Sequence, residues 1–138
     1  MSDRARRINY AYVMVPNRPR QGVKVLEALR DGGVNLTAFT AFPARSGNTQ
    51  VDLVTEDLAG LRRVARSNRW RLSKVKKGFL VQGEDRLGAV HRHLAKLAAV
   101  KINVTAADAV TAGQGRFGMI LWVKPKDYGR AARALGAG

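Results

Sequence analysis

Residues 10–66 of this 138-residue chain can be laid over residues 78–134 at a constant offset of 68 without a gap, and the coincidences fall at structurally meaningful positions. Asn17-Arg18 lands on Asp85-Arg86, Leu26 and Leu29 on Leu94 and Leu97, and Val34-Asn35-Leu36-Thr37-Ala38 on Ile102-Asn103-Val104-Thr105-Ala106. Gly47 then falls on Gly115, and Leu53 on Leu121. Only about a fifth of the pairs are identical, but a fixed period that keeps turn, helix and strand positions in register is the mark of a repeated module. The chain is a duplication, and its fold must be small enough to be completed twice.

Each repeat reads as strand, helix, strand, strand, helix. Tyr10 to Val15 is rich in aromatic and branched residues and predicts a strand, which Pro16-Asn17-Arg18-Pro19 breaks into a turn. Val23, Leu26 and Leu29 keep helical spacing until Gly32-Gly33 stops the helix. A second strand is predicted from Val34 to about Phe42, a turn at Ser46-Gly47-Asn48, and a third strand from Gln50 to Thr55. Leu58, Leu61, Val64 and Ala65 mark a helix with Arg62, Arg63 and Arg66 on its outer side, and Trp70 to Val75 reads as a fourth strand. The second copy gives a strand at Gly78 to Val81, a helix from Leu87 to Ala99, strands at Ile102 to Val110 and Arg116 to Val123, and a helix from Pro125 to Leu135. Only Gly136-Ala137-Gly138 remains, so this copy lacks a last strand of its own. The expected class is α+β, two ferredoxin-like βαββαβ repeats with helices on one face of antiparallel sheets. The boundaries are a basic N-terminal tail at 1–9, repeat 1 at 10–76 and repeat 2 at 77–138.

Composition narrows the function. No apolar run approaches the ~20 residues of a membrane span, and MSDRARRIN lacks the apolar core of a signal peptide, so no membrane partner is expected and a cytoplasmic protein is. The absence of cysteine removes disulfides, thiolate metal sites and cysteine nucleophiles. Against 10 acids stand 25 Lys and Arg, a formal net charge of +15, and such a field attracts polyanions.

At the turn after each first strand the residues resemble a known family. Pro16-Asn17-Arg18-Pro19, then a helix, then Gly33-Val34-Asn35-Leu36, resembles the ACT domain, a small amino-acid-binding regulatory module; Gly83-Glu84-Asp85-Arg86-Leu87-Gly88, with Ile102-Asn103-Val104 later, is similar. Asn17 to Asn35 and Asp85 to Asn103 are both intervals of 18 residues. The resemblance covers Tyr10 to Leu135 and is to free-standing tandem ACT proteins rather than to an ACT tail on an enzyme. It implies an effector, usually an amino acid, held between modules against the loop that enters the first helix. Free amides and the helix dipole there suit a carboxylate. The residues it points to are Asn17, Arg18, Arg20, Gln21 and Gly22 in the first loop and Asp85, Arg86, Leu87 and Gly88 in the second, with Asn35, Thr37, Asn103 and Thr105 contributed by neighbouring modules. Asn17 or Asp85 would accept from an ammonium group. Where the family has glycine after Asn-Arg-Pro this chain has Arg20, which either plugs the first site or clamps an anionic ligand, whereas the second copy keeps Gly88. The intact pocket is expected in the second copy, or shared by both. The same residue types also serve simply as turns and caps.

Other constellations carry less. His91 and His93 are two apart on a helix and face different directions. Asp52, between Val51 and Leu53, is expected on the opposite sheet face from them rather than buried as a catalytic acid. No phosphate loop, nucleophile elbow or carboxylate pair is present, so neither an enzyme nor a cofactor is expected. The rival reading is nucleic-acid binding. Gly115 to Trp122 loosely resembles the third-strand signature of RNA-recognition motifs, with Phe79 as a stacking partner and Lys74, Lys76, Lys77 and the Arg62 to Arg71 group for phosphates. Finally, Ile120 and Trp122 share the strand face that helices cannot cover, and repeat 2 has an unpaired edge, both of which predict a homodimer.

Overall fold

In the computed structural model, residues 3–138 are described and run β1 (Arg4–Pro16), α1 (Gln21–Asp31), β2 (Ala38–Pro43), β3 (Asn48–Val54), α2 (Leu58–Ser67), β4 (Lys76–Glu84), α3 (Ala89–Ala99), β5 (Val104–Gly113), β6 (Arg116–Val123) and α4 (Tyr128–Leu135). The chain divides into two compact units, Asn9–Lys76 and a second built from Lys77–Gly138 together with the residues up to Ile8.

In the first unit the strands lie in the order β2-β3-β1, all antiparallel. One face carries Ala11, Val13, Val51 and Leu53, and onto it pack Val25 and Leu29 of α1 and Leu61 and Val64 of α2. Helix α2 begins where Asp57 caps it, its carboxylate accepting from the Gly60 amide at 2.9 Å. The second unit repeats this with β5-β6-β4 and a core of Phe79, Val81, Leu97, Met119, Leu121, Ala131 and Leu135. Its larger members compensate one another. Ala11 and Gly60 of the first repeat become Phe79 and Tyr128 in the second, whose rings stack at 4.5 Å while the Tyr128 hydroxyl donates to the Gly78 carbonyl at 2.9 Å.

The offset of 68 holds at the level of single residues. Ala11 faces Leu53 and Phe79 faces Leu121; Pro16 faces Asn48 and Glu84 faces Arg116. Left-handed backbone recurs in pairs: Arg20 with Gly88, Gly33 with Lys101, Ser46 with Gln114, Gly47 with Gly115.

The structure differs from the sequence expectations at five points. Residues 1–9 are not a tail over their described part, because β1 starts at Arg4 and its residues up to Ile8 lie beside β4 in the second unit. Ala5 packs against that unit's core and Ile8 is buried. The sheet edge expected to be open is therefore occupied. Trp70 to Val75 forms no regular strand; Ser73 pairs once with β1, its amide donating to the Tyr12 carbonyl, but its hydroxyl rather than a carbonyl takes the Tyr12 amide, so no ladder propagates. Ile120 and Trp122 are 7% and 8% exposed within the single chain, with the Trp122 indole over Gly78. Neither side chain is left for a second copy of the chain to cover. Asp52 does lie on the opposite face from Val51 and Leu53, yet it is buried at 4% exposure.

Candidate functional site

The loop from β4 into α3 is shaped by its backbone. The Asp85 amide donates to the Gly115 carbonyl at 2.8 Å, pinning the loop to the β5-β6 turn, and the Ala89 amide donates to Arg86 at 3.0 Å. Gly88, at φ +78°, turns the chain into the helix, whose first regular bond runs from the Arg92 amide to the Gly88 carbonyl. Geometry then leaves the Val90 and His91 amides without an intrahelical acceptor. These amides open on a cleft of about 290 Å³ lined by Asp85, Arg86, Gly88, Ala89, Val90 and His91 on one side and by Ala109, Val110, Thr111 and Phe117 on the other. The Asp85 carboxylate makes no hydrogen bond or ion pair among the described residues, while Arg86 is 3.9 Å from Glu84 and half-exposed. Two amides, a guanidinium and a carboxylate around a small apolar floor can hold a molecule carrying both an anionic and a cationic group.

The first copy has the same loop path. The Asn17 amide donates to Gly47 at 2.8 Å and the Lys24 amide to Arg20 at 3.0 Å. Arg20 takes the left-handed N-cap position at φ +75° without a side-chain capping bond. Asn17, Arg18 and Arg20 are exposed, and Gln21 and Gly22 partly so. Asn35 lies elsewhere, with Leu26, Leu29, Arg30, Gly33, Val34 and Leu36 around a cleft of about 400 Å³ at the far end of α1. Thr37 is exposed, its amide donating to Val54.

Asn103 and Thr105 are likewise not brought to the Asp85 cleft of their own repeat. They sit at the start of β5, and the cleft takes Ala109 to Thr111 near its end, roughly 20 Å away at the rise of an extended strand. The β5 residues were missed by the sequence reading, because counting back from the Gln114-Gly115 turn pairs Ala112 with Phe117, and only the register shift between Thr111 and Gly113 brings Thr111 opposite Phe117. Leu87 is fully exposed at the loop tip.

The two histidines separate as their spacing requires. His91 lines the cleft, whereas His93 is 2% exposed with Nε2 2.7 Å from Asp3 Oδ2. Arg92 donates to the same oxygen, and the Glu84 amide donates to Asp3 Oδ1 at 3.2 Å. Burial would by itself raise the Asp3 carboxyl, but the hydrogen bonds from His93, the Glu84 amide and Arg92 outweigh it and hold it below the ordinary carboxylate value. Asp52 is the reverse case. Burial pushes its carboxyl up against the opposing pull of the Gln50 amide at 2.9 Å and of Lys76. No group of three His, Cys, Asp or Glu among the described residues is placed to hold a metal ion.

The stacking platform of the nucleic-acid reading is not formed. Phe79 and Phe117 are 0% and 4% exposed and belong to the core beneath α3 and α4, because alternation sends them to the helix-covered face.

Taken together, the fold is of the ACT type, an α+β arrangement of ferredoxin-like repeats. No protein-family profile and no curated protein matches the chain. Solved structures do. A protein of Bacteroides thetaiotaomicron superposes with a TM-score of 0.78 at 14% identity, over 96% of this chain and 88% of that one. The ligand-free regulatory subunit of aspartate kinase from Thermus thermophilus gives 0.63 at 13% identity, over 99% and 95%, and that from Thermus flavus 0.58 at 16%, over 98% and 94%. No described helix is long and apolar enough to cross a membrane.

Proposed function

We propose that this chain is a tandem ACT-type regulatory protein that senses a small zwitterionic metabolite, in the first instance an amino acid, at the cleft entered by the Asp85–Gly88 loop. The observation that carries the reading is that Asp85, whose carboxylate has no partner among the described residues, lines the same cleft as Arg86 and the first residues of α3. A carboxylate would lie on the amides and Arg86, an ammonium on Asp85, and the apolar side chain against Val110 and Phe117. Two of the similar structures are by name regulatory subunits of aspartate kinase, which supports a regulatory rather than catalytic role. Asn35 and Asn103, remote from the loop of their own repeat, suit the part of a second module's contribution, which favours a homodimer with ligand at its seam. Binding confined to the folded state raises the melting temperature, so a panel of the common amino acids tested by thermal denaturation reads the function directly. Asp85→Ala should then weaken the responding amino acid by roughly 1.5–3 kcal/mol, the worth of a hydrogen bond to a charged group. No response across the panel, or an Asp85→Ala protein with full affinity, sinks this assignment.

A second reading has one specific support. From Leu58 to Gly83 the chain carries eight Lys and Arg and no acid, so α2 and the segment after it present a basic face to phosphates. A labelled oligonucleotide titrated at two salt concentrations tests it: binding that weakens steeply with salt supports the reading, and no binding at low salt ends it.

A further inference from the structure

The duplication supplies its own control. At the place where repeat 1 buries Val25 and packs Val15 against its core, repeat 2 has His93 and Gly83. Into the space a side chain at Gly83 would fill comes the Asp3 carboxylate, the group nearest to that missing Cβ. Asp3 is 4% exposed at its side chain and holds Arg92, His93 and the Glu84 amide at once. An ionised carboxylate only accepts, so His93 Nε2 carries the proton, and His93 Nδ1 is left buried without a partner among the described residues. A buried charged cluster with an orphan nitrogen is a poor way to gain stability; apolar residues of similar volume usually do as well or better. The Val15 and Val25 pair of repeat 1 is that apolar solution on the same backbone.

The position of the cluster says what it does. Glu84 immediately precedes the Asp85–Gly88 loop, and Arg92 and His93 follow it by one helical turn. Asp3 therefore grips both ends of the loop, and it does so from the residue just ahead of the strand that closes this unit's sheet edge. The His93 ring also lies 6.3 Å from that of Phe117, which lines the cleft.

We infer that the N-terminal segment is a latch on the cleft: Asp3, docked on Gly83, Arg92 and His93, is a positioning residue that holds the Asp85–Gly88 loop in its binding shape, and release of the segment loosens it. This rests on the cleft being the ligand site, but the test below uses no ligand and stands or falls separately from that assignment.

Hydrogen exchange of the full chain, followed peptide by peptide, distinguishes a latch from plain structural support, because local opening and global unfolding expose different amides. Three proteins are compared: wild type, Asp3→Ala, and the triple variant Asp3→Ala/Gly83→Val/His93→Val, which installs the apolar packing of repeat 1. Asp3→Ala should raise exchange on the order of tenfold in residues 84–92 while residues 9–76 keep wild-type protection. The triple variant should melt at or above the wild-type temperature and still show the fast-exchanging loop. A triple variant as stable as wild type with a fully protected loop would overturn the latch, as would a rise in exchange spread evenly over both units. Should Asp3→Ala fail to fold, Asp3→Asn, which keeps the acceptor for the Glu84 amide and loses the charge, gives the same comparison.

Discussion

Arg20 stands where the duplicated fold asks for a left-handed residue, and its removal should stabilise the protein. Its φ of +75° matches the +78° of Gly88 in the other copy, so the turn imposes the conformation whatever residue occupies it. A left-handed L-residue costs roughly 1–2 kcal/mol relative to its ordinary basin. Glycine removes that cost but adds about 0.4–1 kcal/mol of unfolded-state entropy to be lost on folding. Arg20 is exposed and has no side-chain capping bond, so nothing else is lost. The balance for Arg20→Gly is about 0.5–1 kcal/mol of stabilisation, or roughly 2–6 °C in Tm for a chain of this size. Gly88→Ala is the mirror experiment. A Cβ there meets nothing within 4 Å, so its cost is backbone strain alone, about 1 kcal/mol of destabilisation. Calorimetry or urea denaturation measures both. If Arg20→Gly lowers the Tm, the arginine makes a stabilising contact and the strain argument is wrong; if Gly88→Ala is neutral, the loop relaxes and the comparison of copies loses its force.

Three further outcomes are expected. Asp3, held below the ordinary carboxylate value, contributes stability that is present above the unfolded-state pKa and is lost as pH falls through its lowered folded value, so acid titration of exchange in the second unit should show a loss that Asp3→Asn abolishes. Asp52 has the opposite sign: its raised carboxyl costs stability as pH rises from the ordinary carboxylate value upward, so Asp52→Asn should raise the Tm at pH 7 and leave it unchanged at pH 3. Asp57→Ala removes the cap on the Gly60 amide and should cost about 1 kcal/mol in denaturant unfolding; Gly60→Ala, whose Cβ would strike the Asp57 carboxylate and come within 3.0 Å of Val34, should cost more. Equal effects of the two would mean that the cap is not what Gly60 protects.

The duplication was legible because both halves obey the same turn chemistry. Registers and left-handed positions repeat even where the residues differ, as with Gly33 and Lys101 or Ser46 and Gln114. The strand over Arg4–Ile8 was hidden for a definite reason. Its counterpart in repeat 1 is the stretch after α2 near Ser73, which follows its repeat, whereas Arg4–Ile8 precedes both repeats, so the offset of 68 gives no sign of it. Asp3 was invisible for the same reason, since its partners lie 81 to 90 residues away. Alternation placed Asp52 on its face correctly but carries no information on whether that face is covered. The cleft was half legible: its helix-side loop stands out as a motif, whereas Ala109 to Thr111 are ordinary edge-strand residues made relevant only by register.

The differences between the copies are more instructive than their likeness. Repeat 1 has an apolar pair where repeat 2 has Gly83 and His93, and an arginine where repeat 2 has Gly88. The first difference gives repeat 2 no gain in core stability, whereas the second spares it the left-handed strain that Arg20 bears. Both concern one loop or its ends, and that loop lines the cleft. If the docked segment stabilises the loop and the loop holds a ligand, linkage makes the effect reciprocal: the factor by which docking tightens the ligand is the factor by which ligand tightens docking. The strand over Arg4–Ile8 also closes the edge beside β4. Occupancy of the cleft and closure of that edge would then be two readings of one equilibrium, and a free β4 edge is a surface to which another strand can add. A regulator built this way needs no large movement, only a few hydrogen bonds of one aspartate made or broken at the start of the chain.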